Sequence, residues 1–229
     1  MQAGQMDHVK GCQQLVSATA WIALAASCFI AVGAAAQTPA GPPVEPDSGL
    51  RGDYRKAGPA LACEIAETAG VTPESLAKAG EQACLHIGPI ALGMEIEAVE
   101  KLLGPPWQSQ TRTNDEIRVY RLPAAATATS GEVPYIVIGI RSNRVVSAQL
   151  TGLGTSKAIA FSSITLSTPT ADLVERLGQP HRKSPVKDLA SVNGELWSYV
   201  PWPVSFEIVY GRVYSIRISY ENDGNGQVE

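Results

Sequence analysis

The sequence predicts an α+β protein of two tandem units, each a helix packed on about three antiparallel strands, preceded by a disulfide-linked helical hairpin. Three observations predict it. Two segments, opening at Ile90 and at Ile164, carry the same apolar spacing and align without a gap through their first halves. Each holds a stretch of helical period that stops at Gly and Pro, and each continues into residues alternating between apolar and polar. Ahead of both lies a pair of cysteines, Cys63 and Cys84.

Within the two units, Leu92 aligns with Leu166, Val99 with Leu173 and Leu103 with Leu177. Ile96, Val99 and Leu103 share one face of a helix, as do Thr170, Leu173 and Leu177. Thr168 and Pro169 read as an N-cap and a first-turn proline. Gly104 and Gly178, each with a proline one or two residues on, end the two helices. Residues 116–122 and 196–200 read as an early strand in each unit. Residues 134–140 and 144–150, joined at Ser142 and Asn143, read as the later strands of the first unit, and 204–210 and 212–220, joined at Gly211, as those of the second. Tyr214, Ile216, Ile218 and Tyr220 fall on one side, Val213, Ser215, Arg217 and Ser219 on the other, so one face is buried and one is wet. The units are placed at 87–152 and 160–222.

The N-terminus carries an uncharged run, residues 18–36, ending in Ala34, Ala35 and Ala36, the small-residue pattern of a cleaved secretory signal peptide. Residues 1–36 are assigned to it, with Gln37 opening the mature chain. Two alternatives stand beside cleavage. One is retention as a membrane anchor, since the run is close to the roughly 20 apolar residues that span a bilayer. The other is acylation of Cys28, disfavoured because the apolar run continues through Phe29 and Ile30. Residues 37–58, rich in Pro, Gly and charge, read as a flexible linker. Residues 59–86 read as a helical hairpin, with one helix over 61–69 and a second opening at Thr72 and Pro73. Removing the leader leaves Cys63 and Cys84 as an even pair, which an oxidising compartment converts to a disulfide.

Leu92, Gly93, Met94, Val99, Leu102, Leu103, Gly104 and Pro106 together resemble the SmpA/OmlA family of small outer-membrane assembly lipoproteins. In the second unit Leu166, Leu173, Leu177, Gly178, Pro180, Trp197 and Tyr199 carry the same likeness. The tandem arrangement also resembles the beta-lactamase inhibitory protein. The resemblance implies helices packed on a sheet, a non-catalytic role in envelope or outer-membrane protein assembly and a protein partner.

Composition bears on function mainly by exclusion. Of 229 residues, 45% are hydrophobic and 17% charged, with a formal net charge of −4. Lys and Arg are scattered, which argues against nucleic acid as a partner, since phosphates call for a basic patch. No membrane span is expected after signal cleavage. His86 and His181 lie in turns without a motif that would make either a general base. Ser163, Ser167 and Ser184 lack a nucleophile elbow, Glu95, Glu97 and Glu100 lie on a wet helix face, and Asp188 and Glu195 are isolated. No catalytic residue, metal site or cofactor is assigned. Aromatic residues crowd the second unit, and Trp197, Tyr199 and Trp202 are the candidate partner-binding residues, because aromatic anchors dominate interface energetics. Trp202 stands out through its flanking Pro201 and Pro203, which keep it out of a central ladder. The function expected is a periplasmic or secreted protein–protein interaction module. The alternative is an exported inhibitor of a hydrolase.

Overall fold

A computed structural model describes residues 45–65, 71–111, 115–122, 133–154 and 159–220. The signal peptide at 1–36, Cys28 and linker residues 37–44 lie outside the described residues.

The first departure from expectation comes where the sequence reads as linker and helix. Strands β1 (Gly52–Ala57) and β2 (Ala60–Ile65) form an antiparallel hairpin, with Tyr54 opposite Cys63 and Ala57 opposite Ala60. Gly58, at φ 64°, supplies the left-handed conformation that a two-residue hairpin turn needs. The Ala- and Glu-rich string around Cys63 favours a helix locally, but pairing with β1 and burial of Tyr54 and Leu61 override that preference. The linker is therefore corrected over residues 52–57, and the first helix of the hairpin over its described residues, 61–65.

Helix α1 (Pro73–Ala79) starts where Thr72 and Pro73 place it. Thr72 Oγ1 accepts from the Ser75 N–H at 3.2 Å, and the Thr72 N–H donates back to Ser75 Oγ at 2.9 Å. The chain tightens into a 3₁₀ turn, Gly80–Cys84, which brings Cys84 onto Cys63. Their disulfide closes 21 residues of sequence. It joins a strand to a 3₁₀ turn rather than two helices.

Two short paired strands, β3 (His86–Ile87) and β4 (Ile90–Ala91), lead into α2 (Ile96–Leu103). Strands β5 (Gln108–Thr111), β6 (Asp115–Arg121), β7 (Tyr135–Arg141) and β8 (Arg144–Thr151) follow. Helix α3 (Thr170–Leu177) then precedes β9 (Arg182–Pro185), β10 (Glu195–Ser198), β11 (Val204–Val209) and β12 (Arg212–Ser219), with a 3₁₀ segment, Lys187–Val192, between β9 and β10. Ile96 and Val99 of α2, and Leu173 and Leu177 of α3, are buried as their spacing requires. Gly104 and Gly178 terminate these helices at φ 78° and 81°. Pro169, not Thr168, holds the N-cap position of α3, while Thr168 Oγ1 accepts from the Thr165 N–H at 3.1 Å in the turn before it.

Strands β5 to β12 form one antiparallel sheet in the order β5-β6-β7-β8-β12-β11-β10-β9. The expectation of two tandem α+β units is corrected here. Strands β8 and β12 pair directly, Leu150 against Ile216 and Ala148 against Ile218, so the two segments share a single sheet. Each segment also contributes a polar edge strand, β5 and β9, that apolar alternation does not reveal.

Helices and hairpin cover one face of the sheet. Ile136, Ile138, Leu150, Ile216, Ile218 and Phe206 point into that side and join Leu92, Val99 and Leu173 in one core. Rings run through it in sequence: Tyr54 to Phe161 at 5.9 Å, Phe161 to Phe206 at 6.0 Å and Phe206 to Tyr199 at 5.7 Å. At one end of β8 and β12 the segment 45–50 is strapped down. Gln82 Nε2 donates to the Pro46 carbonyl at 3.0 Å and to Tyr220 Oη at 2.7 Å, and the Asp47 N–H donates to the Gly93 carbonyl at 3.2 Å. A Cβ on Gly93 would come within 2.1 Å of the Glu45 carbonyl oxygen, so only glycine lets the strap lie there. Burial disfavours the Asp47 carboxylate, but its bonds from Arg51 and the Gly49 N–H outweigh this and hold it below its usual range.

Candidate interaction surface

A strand sends alternate side chains to opposite faces, so the residues between the core positions define the second, open face. Across the middle of the sheet these are Ser147, Gln149 and Thr151 of β8, Ser215, Arg217 and Ser219 of β12, and Ser205 and Glu207 of β11, of which Thr151, Ser215 and Ser219 are buried and the others half-buried. Short hydroxyl side chains dominate and bond to one another: Gln149 Nε2 donates to Ser215 Oγ at 2.9 Å, and Thr151 Oγ1 lies 3.2 Å from the same atom. Val213, expected on this wet face, is instead buried. Its ladder partner is Ile208, while Ser215 pairs with Glu207, and the extra residue between them flips the alternation.

Toward β6 and β7 the open face changes character. Val119 pairs with Val137 and Ile117 with Gly139, all half-buried. At the end of these strands Arg121 pairs with Tyr135. The Arg121 guanidinium stacks 3.9 Å from the centre of the Trp107 ring, within the range of a cation–π contact. Trp107 is 58% exposed, and Tyr135, the ladder partner of Arg121, also lies at the surface. Arg141 Nε donates to Asp115 Oδ1 at 2.8 Å at the opposite end of the same strands.

The structure places the sequence-selected aromatics elsewhere. Trp197 is 6% exposed, with Lys183 Nζ 3.9 Å over its ring and its Nε1 donating to Glu195 Oε2 at 2.9 Å. It floors a shallow groove beside α3, lined also by Val174, Glu175 and Lys183. Tyr199 shares its face, is fully buried, and donates its hydroxyl to the Gly178 carbonyl at 3.0 Å. It therefore has no surface to offer a partner. Burial raises its phenol pKa far above the usual value. Trp202 is half-buried, 5.5 Å from the His181 ring, which in turn meets Tyr199 edge-on at 6.4 Å. Tyr199 and the half-buried Trp202 close one end of the core, with the exposed His181 ring packed against both. Trp202→Ala is thus expected to cost about 2–3 kcal/mol of stability, read by urea denaturation. A change below about 0.5 kcal/mol, typical of exposed positions, would return Trp202 to the surface.

His86 holds its Nε2 2.8 Å from the Gly52 carbonyl oxygen and its Nδ1 2.9 Å from that of Gly88, fastening β1 to the β3–β4 turn. Among the described residues no group of three His, Cys, Asp or Glu side chains could hold a metal ion, and no helix is long and apolar enough to cross a membrane. Sequence reasoning missed Trp107. Pro105 and Pro106 precede it, the same kind of signal that singled out Trp202.

No family model matches the chain, and no curated protein matches it. Among solved structures it is similar to a cysteine-rich secretory protein from Staphylococcus aureus, with 13% identity over 55% of this chain and 43% of that one, at a TM-score of 0.36. It is also similar to an extracellular protein containing an SCP domain from Bacillus anthracis, with 14% identity over 68% of this chain and 48% of that one, at a TM-score of 0.37. The chain spans less than half the length of either. Likeness at this level carries no argument about function. The resemblance to the SmpA/OmlA family, and with it the tandem arrangement of the beta-lactamase inhibitory protein, is corrected: no family model matches the chain, and the two segments share one eight-stranded sheet instead of forming separate helix-on-strand units.

Proposed function

We propose that the mature chain is an exported, non-catalytic protein-binding module of the cell envelope, and that it docks its partner on the open face of the sheet. One observation carries this reading. A continuous eight-stranded sheet packs its core on one face and turns toward the other the half-buried Ser147, Gln149, Ser205 and Arg217 and a valine strip, with exposed aromatic residues at the rim. Adaptable hydrogen-bonding groups beside rigid aromatic anchors are the composition of protein-recognition surfaces. The sheet behind them is a rigid scaffold, so little order has to be gained on binding. Export is supported by the leader-like N-terminus and by the Cys63–Cys84 disulfide, a bond that persists in oxidising compartments.

Photo-cross-linking in cells tests the reading. A photoreactive residue in place of Gln149, at the centre of the open face, is expected to yield a discrete protein adduct. The same residue in place of Glu175, on α3, is expected to yield none. Mass analysis of the adduct should show a chain beginning near Gln37. Equal adducts from both positions, or none from Gln149, would sink the proposal. A hydrolase as the captured protein would indicate inhibition, and an outer-membrane protein would indicate assembly.

A further inference from the structure

The open face is electrically unlike the rest of the molecule. The register places Arg121, Arg141, Arg182 and Arg217 on it against Asp115 and Glu207, an excess of positive charge in a chain whose formal charge is −4. Helix α2 on the covered side turns Glu97 and Glu100 outward instead. Within the open face, one corner combines this charge with exposed apolar area. Trp107, Arg121 and Tyr135 meet there: the guanidinium is stacked on the indole, and its ladder partner is the tyrosine. Val119 and Val137 extend the apolar strip inward from that corner.

Trp, Tyr and Arg are the residue types that dominate binding energy at protein interfaces. A guanidinium held flat on an indole is pre-ordered, so less side-chain entropy is lost when it grips a carboxylate. From these observations we infer that the Trp107–Arg121–Tyr135 corner is the anchor for a protein partner that presents carboxylates alternating with apolar side chains. Arg121 receives a carboxylate, and Trp107, Tyr135 and the valine strip receive the apolar groups. The inference rests on the open-face reading and specifies the chemistry of the partner for that same surface.

The test is a titration of the isotope-labelled mature chain, followed by NMR, with a short peptide alternating Glu and Leu. A Lys/Leu counterpart and a cello-oligosaccharide serve as comparison probes. Only the Glu/Leu peptide is expected to shift the Trp107 indole and Tyr135 amide resonances, with an affinity that falls as salt rises. Arg121→Glu should weaken it by about tenfold or more. No shift with the Glu/Leu peptide, shifts confined to α2 and α3, or equal binding of either comparison probe overturns the inference. Its failure is separable from failure of the open-face reading. If Arg121→Glu leaves the cellular adduct at Gln149 unchanged, the open face stands and the anchor is elsewhere. If the wild-type chain gives no adduct at Gln149, the surface itself is wrong.

Discussion

Phe206→Ala will cost the protein about 4 kcal/mol of stability, the range for emptying a buried aromatic site. Phe206 is completely buried on β11, at the point where the sheet meets the elements that cover it. Its ring meets Tyr199 edge-on at 5.7 Å and Phe161 at 6.0 Å, and Phe161 continues to Tyr54 on the hairpin. Removing it takes away the transfer free energy of the ring and two favourable aromatic contacts. It also leaves a cavity that a stiff sheet cannot close. Equilibrium urea denaturation gives the number directly. A loss under about 1 kcal/mol would mean the site repacks, and that the aromatic series does not tie hairpin to sheet.

Breaking the Cys63–Cys84 bridge, as the double Cys→Ala variant or by reduction, should cost about 3 kcal/mol in the chain-entropy description of a loop of this size. The bridge spans 21 residues and ties β2 to the 3₁₀ turn that carries Gln82, the side chain clamping the strap of residues 45–47. The loss should therefore come with early release of the strap. Hydrogen exchange at the Asp47 amide, which donates to Gly93, should quicken before exchange in β7 and β8 does. Unchanged midpoints with and without reductant would show that the hairpin is held by packing alone.

What could be read from residues alone followed a simple rule. Elements whose pattern is local were legible: the buried stripes of α2 and α3, their glycine stops, the Thr72 cap, and the Ser142–Asn143 and Tyr210–Gly211 turns, where all four residues take positive φ. The cysteine pair was legible because removal of the leader leaves only two cysteines. Elements set by distant partners were not. The hairpin β1–β2 carries helix-forming residues and exists because Tyr54 and Leu61 find a core far away in sequence. Strand β5 is exposed at every position, so it never alternates. The β8–β12 pairing joins residues about as far apart as the two segments themselves, and no periodicity announces it. The surface suffered the same way. Trp197 and Tyr199 lie two apart and so share one face, but only the sheet shows that this face is the inner one.

Strand β12 comes after every other described strand in sequence, yet it lies at the centre of the sheet, between β8 and β11. A chain that emerges N-terminus first therefore cannot complete this sheet gradually. Strands β5 to β8 can pair among themselves as they appear, but β8 then waits with a bare row of amide and carbonyl groups until residues 212–219 arrive. An open row of that kind is a template for pairing with the wrong chain. The order of emergence makes β12 the strand that joins the two halves of this sheet. It also gives the protein a built-in check on completeness: a product cut short before Arg212 leaves two raw edges where the intact molecule has an unbroken ladder.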